Sequence, residues 1–234
     1  IDQGRIDQGR QELKGNRRSE PDNPLILFYL AKIEEDYNGA LWMYKETELL
    51  ANKGLAAEAL YRRAEIVFST GAYDDAGSLY ERLISDYFES PFVAESRYRL
   101  GIVRLKAGLP EQALSLLETC LESVTTAETR LLASAGIMEC YVAMEDWEKA
   151  MSSALNVLEE RDELGSVTPR VLEVLAIAWR KMGNDDNADK FIERLLTTYP
   201  YSYQAYMIRD EAERAADEII MQERNTEGSY PVRE

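Results

Sequence analysis

Residues 71–83 read GAYDDAGSLYERL: a glycine, an aromatic turn residue and an alanine, then apolar residues at helical spacing. The same frame returns on both sides, as DYNGA (36–40), LPEQA (109–113), DWEKA (146–150) and NDDNA (184–188). The closing residues Ala40, Ala76, Ala113, Ala150 and Ala188 lie 36, 37, 37 and 38 residues apart. A fixed period of this length is the signature of stacked repeats, in which each unit buries its face on its neighbours. Each segment reads as a short turn whose last residue opens the second helix of a pair.

The flanking residues agree. Leu60, Ala64 and Val67 precede Gly71 at helical spacing, and Ala76, Leu79, Tyr80 and Leu83 form the stripe that follows. Leu100, Gly101 and Leu105 precede Gly108; Ala113, Leu116, Leu117 and Cys120 follow it. The small residues Ala64, Gly101 and Ala176 stand twelve positions before their anchor alanines and mark where paired helices approach most closely. In the fourth unit Met138 takes the small site and Glu145 replaces the helix-ending glycine. The first unit is the most degenerate, with Phe28 at the small site. Beyond Pro200, Ile208, Ala212, Ala215 and Ile219 form one stripe, read as a capping helix. IDQGR occurs twice in tandem at the start, and its five-residue period suits neither a helix stripe nor a strand.

The 27 basic and 43 acidic residues set a net charge of −16, which argues against phosphate binding and therefore against nucleic acid. Two readings of the acidity are open, surface solubility or preference for a basic partner segment. No apolar run approaches the roughly 20 residues of a membrane span. The chain opens on Ile without an apolar export signal and is read as processed or incomplete, which leaves compartment open. Histidine is absent, removing the commonest general base and metal ligand. The carboxylates follow solvent faces of expected helices, and GNDDNAD (183–189) reads as a hairpin turn rather than a calcium loop. No catalytic, metal-binding or cofactor-binding residue is assigned, and a non-enzyme is expected. Cys120 and Cys140 read as buried thiols, with a staple between successive helices as the alternative. Trp42, Trp147 and Trp179 read as structural.

Leu60, Ala64, Val67, Gly71, Tyr73, Ala76, Tyr80 and Leu83, with Leu172, Leu175, Ala176, Trp179, Gly183, Ala188, Leu195 and Pro200, resemble the tetratricopeptide repeat pattern. The resemblance covers about residues 21–200. It implies an all-α, right-handed superhelical solenoid of about five repeats (21–55, 56–92, 93–129, 130–167 and 168–200). An N-terminal extension (1–20), a capping helix (201–224) and a loose tail (225–234) complete the expected organisation. The linkers DYFESPFVAESRYRLG (86–101) and TYPYSYQAYMIRDEA (198–212) are similar to those of bacterial envelope repeat proteins, such as the outer-membrane barrel assembly lipoprotein and the Tol-Pal coordinator. That similarity favours a periplasmic or envelope setting over a cytoplasmic one.

The resemblance also implies that first helices line a concave groove. Carried over by position, its residues are Tyr29, Lys32, Tyr61, Glu65, Phe68, Tyr98, Ile102, Leu105, Glu139, Val142, Ile177 and Arg180. Tyr29, Tyr61 and Tyr98 form a ladder for a partner or pack against neighbouring helices; both readings stand. The expected function is a protein-interaction scaffold holding a protein or peptide segment, with Glu65 and Glu139 favouring basic residues. The alternative is a structural subunit that assembles through its ends or convex face. Oligomeric state stays open.

Overall fold

The computed structural model describes residues 3–160 and 167–227. Among the described residues there are twelve helices and no strand. They are α1 (Gln3–Ser19), α2 (Pro24–Lys32), α3 (Tyr37–Leu50), α4 (Lys53–Ser69), α5 (Tyr73–Asp86), α6 (Val93–Lys106), α7 (Pro110–Ser123), α8 (Ala127–Ala143), α9 (Trp147–Glu160), α10 (Thr168–Lys181), α11 (Asp185–Thr198) and α12 (Tyr203–Glu227). Two compact units divide the chain after Ala143, the first containing α1 to α8 and the second α9 to α12. In the first, each helix packs on the next, and α6 also meets α8. In the second, α9 and α11 pack on α10, and α12 touches α10 and α11.

The five anchor alanines are all buried, between 0% and 4% exposed. They do not open their helices, as the sequence reading had them, but stand fourth in them: α3, α5, α7, α9 and α11 each begin three residues earlier. The capping chemistry explains the earlier start. Asp36 and Asn184 accept backbone N–H bonds from Gly39 at 2.6 Å and Asn187 at 3.1 Å, and Asp146 accepts one from Lys149 at 3.2 Å. Pro110 opens α7, and α5 starts with Asp74 and Asp75 in its first turn, where they face the positive helix end.

Gly71, Gly108 and Gly183 adopt left-handed φ values of 82°, 74° and 77°. Glu145 keeps the same turn at φ 55°, a conformation that costs a side-chain-bearing residue about 1 kcal/mol. The first turn is built differently. The Glu34 carboxylate accepts the backbone N–H groups of Glu35 and Asp36 at 3.0 and 3.2 Å, so no glycine is needed.

Three expectations change. Residues 3–19, which include most of the tandem IDQGR, are helical despite lacking a stripe. Discrete contacts hold α1 in place: Leu13 packs on the Leu27–Phe28–Leu30 cluster, and Arg10 donates to Ile33 O at 2.7 Å and Glu35 at 2.9 Å. Trp42 is not a core residue; it is 48% exposed, with the Arg17 guanidinium 5.1 Å from its ring centroid. The stripe of α12 packs only at its start, where Ile208 meets the Leu172–Leu195–Ala205 cluster, whereas Ala212 and Ala215 are exposed. The side chain of Ile219 and residues 228–234 of the expected tail lie outside the described residues.

The linkers also find a physical role. The Ser202 hydroxyl donates to Tyr199 O at 2.9 Å and accepts the Ala205 N–H at 3.2 Å, capping α12. Ser90 accepts the Phe92 N–H at 3.3 Å in the equivalent earlier linker.

Candidate protein-interaction face

Ten of the twelve groove positions lie on first helices of the first unit: Tyr29 and Lys32 on α2; Tyr61, Glu65 and Phe68 on α4; Tyr98, Ile102 and Leu105 on α6; and Glu139 and Val142 on α8; Arg180 is on α10. Ile177 is on α10 of the second unit and half-buried. Helical spacing of three and four puts Tyr61, Glu65 and Phe68 on one face of α4.

The centre of this face is a connected cluster. Tyr61 stacks on Phe92, with centroids 4.9 Å apart and planes 19° apart, and tilts toward Tyr80 at 6.4 Å. The buried Tyr80 hydroxyl donates to the Glu65 carboxylate, and Arg99 Nη2 donates to its other oxygen at 2.8 Å. The Arg99 guanidinium also lies 5.1 Å from the Phe68 ring and 5.6 Å from the Tyr98 ring, within cation–π range. Burial pushes Tyr61 up to about 12, with the Glu65 charge adding to the shift. Tyr80 is raised further, by burial first and then by its hydrogen bond to Glu65. A phenol that donates to a carboxylate in a poorly solvated place resists ionisation for both reasons.

This geometry changes the expected electrostatics. Glu65 is engaged by Tyr80 and Arg99, so it does not present an uncommitted negative charge to a basic partner. The Arg99–Glu65 pair is neutral as a unit, and Arg99, whose side chain is 32% exposed, keeps guanidinium N–H groups that Glu65 does not take. The tyrosines are not a uniform ladder either. Tyr29 is 50% exposed and edge-on to Phe28, Tyr61 is stacked against Phe92, and Tyr98 is half-buried. Ile102 packs toward α8, where a Cβ built on Gly136 would lie 3.6 Å from its Cδ1. Leu105 and Glu139 are half-buried.

Sequence reasoning missed Arg99, Tyr80 and Phe92 as parts of this face. A signal for Arg99 existed. One repeat of 37 residues maps Glu65 onto 102, and Arg99 stands one helical turn before it, so the pair could be found by adding the period to each charge.

Cys120 and Cys140 are free, fully buried thiols on the packed helices α7 and α8. Both thiols being free, the staple is not formed; burial pushes the Cys140 thiol up to about 12, with Glu139 and Glu118 adding to the shift. Among the described residues no helix is long and apolar enough to cross a membrane.

Residues 36–94 and 173–202 match models of the tetratricopeptide repeat, spanning α3 to α5 and most of α10 and α11. No curated protein matches the chain. Solved structures share the fold. A tetratricopeptide repeat protein from Parabacteroides merdae is 21% identical, with a TM-score of 0.69 over 93% of this chain and 83% of its own. PilF of Pseudomonas aeruginosa is 16% identical, with a TM-score of 0.68 over 89% of this chain and 91% of its own. YrrB, described as a tetratricopeptide repeat protein with an unusual peptide-binding site, is 17% identical, with a TM-score of 0.66 over 85% and 97%.

Proposed function

We propose, for a chain built from tetratricopeptide repeats, that it is a non-catalytic scaffold and that the first helices of its first unit hold a segment of a partner protein. The observation that carries this reading is the Phe68–Arg99–Tyr98 cluster, a half-exposed cation between two rings, braced from behind by Glu65 and Tyr80. Such a surface is preorganised. Its side chains are already ordered, which lowers the entropic cost of docking a partner. Apolar partner residues pack beside Phe68, Tyr98 and Ile102, while Arg99 donates to a carbonyl or carboxylate of the segment. Tyr29 extends the same face onto α2, and Glu139 onto α8; Ile177 is the corresponding position of the second unit.

The partner chemistry thus differs from a simple preference for basic residues, because the Glu65 charge is already matched by Arg99 and the centre offers the guanidinium N–H groups that Glu65 does not take. The peptide-binding site named for YrrB agrees in kind with a segment-binding role. The Tyr199-Pro200-Tyr201-Ser202 linker supports a bacterial envelope setting, which fractionation of the native protein checks directly.

The test is affinity capture of the native protein with residue-level cross-linking, repeated with Tyr98→Ala and Ile102→Ala. Cross-links from one partner to α4 and α6, weakened about tenfold in the variants while the melting curve is retained, support the reading. Unchanged capture by the folded variants rejects this face.

A further inference from the structure

A second surface of the first unit lies on the other side of its hairpins. A cleft of about 560 Å³ opens between α3, α4 and α5, with Leu41, Trp42 and Leu79 among its apolar walls and Lys45, Arg63 and Asp75 around it. The nearby Glu48 carboxylate is engaged by both Arg63, at 3.5 Å, and Arg82. Arg17 adds a further cation over Trp42. Lys45, Arg63, Arg82 and Arg17 outnumber Asp75 and Glu48 here, so the surroundings of this cleft are cationic on a chain whose net charge is −16.

The second unit carries a surface of opposite character. Past Ile208, α12 leaves its packing, and Ala212 and Ala215 are exposed along one side. Glu211 and Glu218, two turns apart, line one edge of that alanine stripe, and both are exposed. Arg214, the cation between them in sequence, is paired with Asp210 at 2.6 Å. An apolar stripe with an acidic edge is the complement of an apolar cleft with a cationic rim.

We propose that α12 of a second copy of this chain docks in the cleft between α3, α4 and α5. The alanines let the backbone of α12 approach closely, so Trp42 packs over them as a large anchor against small residues. Glu211 and Glu218 then meet Lys45 and the charge left in excess where Arg63 and Arg82 share the single Glu48 carboxylate. The contact is heterologous, cleft of one copy to helix of the next, so in a pair one copy keeps its α12 unused and the other its cleft. It does not involve the Phe68–Arg99–Tyr98 face and stands independently of the reading above.

Sedimentation equilibrium tests it. The unaltered chain should gain mass with concentration and lose that association as salt is raised, because the paired charges are screened. A cleft variant, Trp42→Ala with Lys45→Glu, and a helix variant, Glu211→Lys with Glu218→Lys, should each associate at least about tenfold more weakly. Mixing the two should restore a 1:1 heterodimer through the intact cleft of the helix variant and the intact α12 of the cleft variant. Circular dichroism melts establish that both variants are folded. A chain that stays monomeric at all concentrations, association that persists in both folded variants, or a mixture that forms no heterodimer would each overturn the proposal. A monomer whose cleft binds a different acidic protein would likewise overturn it and assign the cleft to that protein.

Discussion

Tyr80 on α5 and Leu117 on α7 occupy the same place in successive repeats, four residues after their anchor alanines, and the two sites solve one packing problem differently. Around Leu117 the neighbours are reduced to make room. A Cβ built on Gly101 would lie 2.8 Å from Leu117 Cγ and 3.4 Å from Ala113 O, and one on Gly136 would lie 3.0 Å from Leu117 Cδ1. Leu117 is thus wedged between α6 and α8 with no polar atom to satisfy. Around Tyr80 the opposing residue is Ala64, and the ring carries a hydroxyl into the interior that Glu65 must accept. That requirement brings in Arg99, whose charge then surfaces between Phe68 and Tyr98. The apolar solution ends in the core, whereas the polar one has a charged, aromatic exterior.

The largest effect is expected at Leu117. Replacing it with Ala leaves a space between two glycines that cannot fill it, and the stability of the first unit should fall by about 3 kcal/mol, read by denaturant titration. A loss below about 1 kcal/mol would mean that α6 and α8 collapse together and that the wedge is not structural. Tyr80→Phe should cost about 1.5 kcal/mol, because the ring is kept while Glu65 loses one donor. The same variant should weaken partner capture through the freed Arg99–Glu65 geometry, an effect that Leu117→Met should not produce.

Alkaline pH sharpens the contrast. Tyr61 is raised from 10.0 to about 12 and Tyr80 is raised as well, so folding is favoured by keeping both neutral. Their contribution is complete below pH 10 and is lost as pH rises through the folded-state value toward about 12. Absorbance titration should show a late phenolate class that appears with unfolding, and Tyr80→Phe should reduce its amplitude. A single tyrosine transition near the ordinary value would contradict the buried cluster. The smallest effect is expected at the turn before α9. Glu145→Gly relieves the left-handed strain and should raise stability by about 0.5–1 kcal/mol, measured by thermal melting.

Much of the architecture is legible in the residue pattern. The anchor alanines and the glycines at 71, 108 and 183 could be read because close packing and left-handed turns each admit few residue types, so composition at a fixed period reports geometry directly. Helix starts were less legible, since capping is decided by which side chain turns back on which N–H, and Asp36, Asn184 and Asp146 all stand four residues before the alanine they precede.

The repeat frame, the all-α class and the lack of histidine follow from the order of residues alone, because periodicity and composition are properties of the chain. Tertiary structure alone decided that Glu65 is engaged by Tyr80 and Arg99, that Trp42 is exposed beneath Arg17, and that α12 leaves its packing after Ile208. These depend on which side chains meet across helices some tens of residues apart. Such meetings follow from rotamers and interhelix distances, which a repeat period constrains to a turn of helix but not to an atom.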